Sequence, residues 1–133
     1  MSIEVELVLR LLLAAALGAI IGFQRERANR PAGLRTHTLV CVGSALFTIA
    51  SLYGFGGWAD PARVAAGIVT GIGFLGAGAI MRREGGLVAG LTTAATIWIV
   101  AAIGLAAGAG LYVLSAVTTV IALIVLLLPH PIR

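Results

Sequence analysis

The stretch Leu17 to Thr38, LGAIIGFQRERANRPAGLRTHT, decides the fold, because an apolar segment runs into a cluster of arginines and leaves it as a second apolar segment. The pattern returns from Leu75 to Thr96 as LGAGAIMRREGGLVAGLTTAAT. Leu17-Gly18-Ala19 falls on Leu75-Gly76-Ala77 and Arg25-Glu26 on Arg83-Glu84. After one deletion, Ala32-Gly33-Leu34 falls on Ala89-Gly90-Leu91, with Thr36 on Thr93. Self-similarity at a fixed period, here about 58 residues, marks a repeated structural unit. Each unit reads as a membrane hairpin whose turn carries the charge.

Composition identifies the solvent. Of the 133 residues, 60% are apolar and 11% charged, and the mean hydropathy is +1.10. A water-soluble domain carries about 25% charged residues. Leu87 to Pro129 holds no charged side chain. At about 1.5 Å per residue, that is enough helix to cross a hydrocarbon core of roughly 30 Å twice. Glu4 and Glu6 stand where a cleavable signal would place basic residues, so the first helix is expected to stay in the membrane. The single cysteine, Cys41, rules out an internal disulfide and reads as a small core residue. The net charge of +4 comes from nine arginines and no lysine, and apart from Arg10 the arginines sit at helix ends. Topology and anionic headgroups account for it there, and no nucleic-acid partner is implied.

The expected fold class is all-α: a polytopic membrane bundle of five transmembrane helices, built as two parallel hairpin repeats plus one helix in a single domain. Repeat one covers about residues 3–55, repeat two about 61–108 and the fifth helix about 111–128. Helix one is predicted from Ile3 to Phe23, with Arg10 inside it. An arginine at the centre of a span costs about 2.5–3.5 kcal/mol unless it is relieved, so Arg10 either snorkels to the near surface or pairs with Asp60. Pro31 stops helical continuation, and Thr36 can cap a second helix from His37 to Phe55. Trp58 is placed like an interfacial anchor. Asp60-Pro61 is a helix start, aspartate as cap and proline in the first turn, and opens helix three, which runs to Met81. Thr92 or Thr93 can cap helix four, which ends near Ala107 before the turn Gly108-Ala109-Gly110.

Arginine counting sets the orientation. Arg25, Arg27, Arg30, Arg35, Arg82, Arg83 and Arg133 fall on one side, and Arg63 falls on the other with Glu4, Glu6 and Asp60. The charged loops and C-terminus are therefore expected in the cytoplasm and the N-terminus outside.

Gly71-Ile72-Gly73-Phe74-Leu75-Gly76 matches a dinucleotide fingerprint in letters alone, because no strand precedes it and it lies within a span. The glycines read as packing faces. Gly18 and Gly22, Gly67 and Gly71, and Gly104 and Gly108 are each four apart and let a second backbone approach. Gly73, Gly76 and Gly78 leave helix three bare and make it a candidate for a kink or the bundle centre. Magnesium takes hard oxygen ligands, and Glu26, Asp60 and Glu84 are the candidate metal residues, although all three lie at helix ends beside arginines. The arginines and caps, Arg25, Arg35, Thr36, Arg63, Arg82, Arg83, Thr92 and Thr93, form a motif suited to an anion or an acidic partner, or to topology and headgroups alone. His37 reads as a cap neighbour and His130 as a tail residue, and no nucleophile stands near a base, so no enzyme is expected.

The strings GAIIGFQRER, AGLRTHTLVCVGSALF, DPARVAAGIVTGIGFLGAGAIMR and GLTTAATIWIVAAIGLAAG together resemble the MgtC/SapB family of bacterial inner-membrane proteins, over about Leu12 to Gly108. The matching motif positions are Arg25, Gly33, Leu34, Arg35, Thr36, Asp60, Arg63, Gly71, Gly73, Gly76, Gly78, Arg82, Gly90, Thr93 and Ala94. The resemblance implies magnesium or ion homeostasis in the inner membrane, with two roles open. One is ion transport, with Mg2+ as substrate or ligand and no other cofactor. The other is non-transporting regulation of another membrane complex, such as an ATP synthase or a transporter. Two departures stand out: Gln24 replaces the family's frequent acid before Arg25, and the soluble C-terminal domain of virulence-linked members is not expected after Arg133. Glycine faces in excess of what one small bundle needs point to a homodimer in the lipid bilayer.

Overall fold

The computed structural model describes residues 2–82 and 88–129, with backbone alone at 81–82 and 88–89. Helix α1 is Ile3–Arg27, α2 Leu34–Tyr53, α3 Pro61–Ala79, α4 Leu91–Gly108 and α5 Tyr112–Leu126. A two-residue antiparallel ladder, β1 Met81–Arg82 with β2 Val88–Ala89, lies between α3 and α4. The all-α membrane bundle expected from the sequence is present. Helices α1 to α4 are long and apolar enough to cross a membrane. The shorter α5, with 15 residues, covers about 22 Å of the crossing.

The helix ends follow local chemistry, with four corrections. Ser2 caps α1 by accepting from Val5 N at 3.2 Å, and Glu4 and Glu6 at its start with Arg25 and Arg27 at its end complement the macrodipole. That favourable last turn carries α1 to Arg27, beyond the expected Phe23. Helix α2 begins at Leu34 instead of His37, and Thr36 is not its cap. The N-cap is Gly33, and the acceptor comes from Glu26, whose Oε1 lies 3.0 Å from Leu34 N. Likewise neither Thr92 nor Thr93 caps α4, whose N-cap is Gly90 at φ 93. Asp60 does cap α3, accepting from Ala62 N at 3.0 Å, with Pro61 first in the helix. Helix α3 stops two residues before the expected Met81 because Ile80 turns extended into the ladder.

Helix α4 closes on a Schellman turn. Gly110, at φ 84, lets its own N–H reach Ala107 O at 3.1 Å and Leu111 N reach Ala106 O at 2.8 Å, and α5 then folds back.

The core lies where α1, α2 and α4 meet, around Ala14, Leu17, Ile21, Cys41, Val100 and Ile103. Small residues make this junction close. At Gly18 an added Cβ would stand 2.6 Å from Cys41 Cβ, and at Gly22 it would stand 2.8 Å from Leu34 Cα. Gly104 packs on the Cys41 backbone and Gly108 on that of Ala45. Helix α4 is accordingly the bundle centre, with half of its membrane window buried against 6% for α3. Of the two readings offered for α3, a kink or the bundle centre, this overturns the second. Its Gly67, Gly71, Gly73 and Gly78 have nothing within 4 Å of a built Cβ, and Gly76 makes only ordinary contact with Ala94. Between α2 and α3 lies an open apolar cleft of 610 Å³ lined by Val40, Gly43, Phe47, Gly67, Ile68 and Gly71, among others.

Candidate functional site

At the arginine-rich end of the bundle, helical spacing puts Arg25 on the face of α1 that carries Leu17, Gly18, Ile21 and Gly22. Its side chain is therefore driven inward, and it is 4% exposed. Arg27 instead lies out over the Phe23 ring, at 5.7 Å. Arg25 Nη2 donates to Thr93 Oγ1 at 2.8 Å. One turn on, the Thr96 hydroxyl is 2.8 Å from Thr93 O and 2.9 Å from His37 Nε2. His37, fully buried, is 2.9 Å from Gly33 O at Nδ1. Assigned as the Nδ1–H tautomer, the ring donates to Gly33 O and leaves Nε2 as an acceptor facing the Thr96 hydroxyl. The Thr96 hydroxyl then has one proton for two acceptors, so His37 and the Thr93 carbonyl compete for it. Arg25, Thr93, Thr96 and His37 thus tie α1, α2 and α4 together by one polar chain.

Among the described residues the charge in this cluster is not balanced by an ion pair. Among the described residues Arg25 has no carboxylate partner, and its buried Nε has no hydrogen-bond partner. Gln24 Oε1 and Thr38 Oγ1 are likewise buried without partners. An unpaired ion in a low-dielectric interior carries an effective penalty of several kcal/mol. Such an arrangement holds an anion, water or a polar partner more readily than a cation. Among the described residues no group of three or more His, Cys, Asp or Glu is placed to hold a metal.

The other sequence-derived candidates separate. Glu26 caps α2 at the arginine-rich end and Asp60 caps α3 at the opposite end, the 20 residues of α2 between them spanning about 30 Å. They do not form one site, and Glu84 and Arg83 lie outside the described residues. Arg35, Thr36 and Thr92 are exposed near the arginine-rich end, and Arg63 is exposed in the first turn of α3. Arg82 lies in β1.

Arg10 neither pairs with Asp60 nor snorkels freely. It is 6% exposed and donates from Nε to Tyr112 Oη at 2.9 Å, from Nη1 to Gly108 O at 2.9 Å and from Nη2 to Glu6 Oε2 at 2.6 Å. Tyr112 also donates to Glu6, and the Tyr53 ring lies 5.5 Å from the guanidinium carbon. This satisfied cluster pins the α4–α5 turn to α1. Asp60 is excluded because α1 already supplies an acid one turn away, at Glu6.

Sequence reading missed His37 and Thr96. The available signal was spacing: Thr93 and Thr96 share a face of α4, and His37 shares one of α2 with Cys41.

A family model described as the MgtC family matches residues 11–133. The putative magnesium transporter YhiD of Escherichia coli K12 is 48% identical over 132 residues, 94% of this chain and 61% of its own. Protein MgtC of Brucella abortus strain 2308 is 52% identical, covering 89% of this chain and 49% of its own. Protein SapB of Bacillus subtilis strain 168 is 42% identical, covering 83% and 50%. The chain therefore spans about half to three-fifths of the length of these relatives. No solved structure matches it. Its repeats, its bundle and the family match over nearly all of its length agree: the chain belongs to the MgtC family.

Proposed function

We propose that this integral membrane protein serves magnesium or ion homeostasis in a bacterial inner membrane, and that it does so by binding another membrane complex, not by carrying the ion through its own bundle. The names of its relatives support the first part, since the E. coli protein is called a putative magnesium transporter and those from Brucella are called MgtC. The second part is carried by the junction of α1, α2 and α4, which is filled with apolar side chains such as Ala14, Ile21, Val100 and Ile103. A hydrated cation pathway needs oxygen ligands at that depth. Glu26 and Asp60 instead act as helix caps at its two ends. The arginine-rich loops face the cytoplasm and the N-terminus lies outside, by the excess of arginine on one side. The bare glycines of α3 suit close helix packing, and a second copy of this chain docks there to make a homodimer.

A second reading, transport along a path formed between two copies, is favoured by the open cleft between α2 and α3. Complementation of a strain that grows poorly at low magnesium separates the two. For an interaction protein, Gly67→Leu and Gly71→Leu abolish rescue while Asp60→Asn and Glu26→Gln retain it. Loss of rescue by the acid variants would favour transport, whatever the glycine variants do, because a path between two copies also needs the α3 face.

A further inference from the structure

We propose that the arginine-rich end holds a binding site for a phosphate-class oxyanion, formed by the Arg25 guanidinium and the N-terminus of α4. This goes beyond the homeostatic role and does not depend on whether any cation is carried.

Two independent features converge there. The first is Arg25 itself, 4% exposed, with a buried Nε that has no partner and no carboxylate against it among the described residues. Its one described side-chain bond is to a neutral hydroxyl, Thr93 Oγ1. The second is the helix end on which that hydroxyl stands. Thr93 is the third residue of α4, whose N-cap Gly90 has no side chain to accept from the first-turn amides. A helix N-terminus carries partial positive charge, so here a buried cation is held against the positive end of a dipole.

Helix α2 shows what such an end normally receives. At the corresponding position of the first repeat, the carboxylate of Glu26 accepts from Leu34 N. An anion from outside would do the same for α4 and neutralise Arg25 at once. The planar guanidinium fork together with backbone amides suits the tetrahedral oxygens of phosphate. Exposed Arg27, Arg30 and Arg35 at this end raise the local concentration of anions. The phosphate group has two possible sources, an anionic lipid headgroup at the membrane surface or free phosphate in the adjoining aqueous phase.

The test is a set of thermal melts of the full chain, purified in phosphate-free neutral detergent and followed by tryptophan fluorescence. Inorganic phosphate is titrated against chloride at matched ionic strength, and phosphatidylglycerol is added in a separate arm. Saturable stabilisation by either phosphate ligand, absent with chloride, is expected. A response to inorganic phosphate identifies the free ion as a ligand, and a response to phosphatidylglycerol alone identifies the lipid headgroup. Arg25→Gln should abolish the response and Arg35→Gln should keep it. Arg25→Lys, which keeps the charge but loses the fork, should raise the half-saturating concentration at least tenfold and covers the case in which Arg25→Gln does not fold. No response to either ligand would overturn the proposal, and so would an unaltered response in the Arg25 variants. Glu84, the repeat counterpart of Glu26, lies outside the described residues. Were its carboxylate the partner of Arg25, the wild type would not respond and Glu84→Gln would gain a phosphate response, which also overturns the proposal.

Discussion

Replacing Gly104 by alanine tests the packing of the bundle where α4 comes closest to the backbone of α2. A Cβ there would overlap the carbonyl oxygen of Cys41 and stand 3.1 Å from Cys41 Cα. Both obstacles are backbone in the middle of α2, so neither can swing aside. Relief requires α2 and α4 to part by about 1 Å, and a gap of 0.5–1 Å forfeits about a quarter to a half of each dispersion contact across it. A buried aliphatic side chain makes about 40–60 such contacts at about 0.1–0.2 kcal/mol each. Loosening Ile103 and its neighbours on this seam therefore removes about 2–4 kcal/mol, at the upper end of overpacking costs. Gly67→Ala is the internal control, because nothing lies within 4 Å of its built Cβ and the folded monomer should keep its stability within about 0.5 kcal/mol. The assay is reversible unfolding in mixed micelles, followed by far-UV circular dichroism. Equal stability of Gly104→Ala and wild type, or an equal loss in Gly67→Ala, would refute the packing described here.

Other substitutions probe the polar clusters. Arg10→Met removes three hydrogen bonds, one to Glu6 within α1 and two that join α1 to Tyr112 and Gly108 O, and should cost about 3 kcal/mol in the same unfolding assay. Tyr112→Phe deletes one hydroxyl from that cluster and should cost about 1 kcal/mol. His37→Phe leaves the Gly33 carbonyl without its ring donor and should cost about 2 kcal/mol, with faster hydrogen exchange at the start of α2 as its local signature. Asp60→Ala should lose about 1 kcal/mol as a deleted cap, whereas Asp60→Asn should be nearly silent because asparagine caps as well as aspartate.

The sequence made the bundle legible through its charge-free segments, and the start of α3 through Asp60-Pro61. Long-range partners stayed hidden. Helix α2 begins three residues early because Glu26, eight positions upstream, reaches its first amide, and no hydroxyl nearby in sequence does that work. Arg10 finds Tyr112, 102 residues away, and nothing in the spacing around Arg10 points to α5. The bare glycines of α3 and those of α4 look alike as letters. Only the fold shows that Gly104 and Gly108 are covered by α2 while Gly67 and Gly71 line an open cleft with nothing against them. At the site, Arg25 and Thr93 stood out through the repeat, but their direct contact crosses between repeats. His37 looked like an isolated cap neighbour because its partner Thr96 lies 59 residues on.

The most direct test of the proposed mode of action is magnesium uptake into proteoliposomes of known protein orientation, read with an entrapped fluorescent indicator beside protein-free vesicles and an Asp60→Asn sample. A bundle sealed by the α1–α2–α4 core gives no uptake above the protein-free vesicles from folded protein. Saturable uptake that Asp60→Asn removes would contradict that reading and establish a transporter.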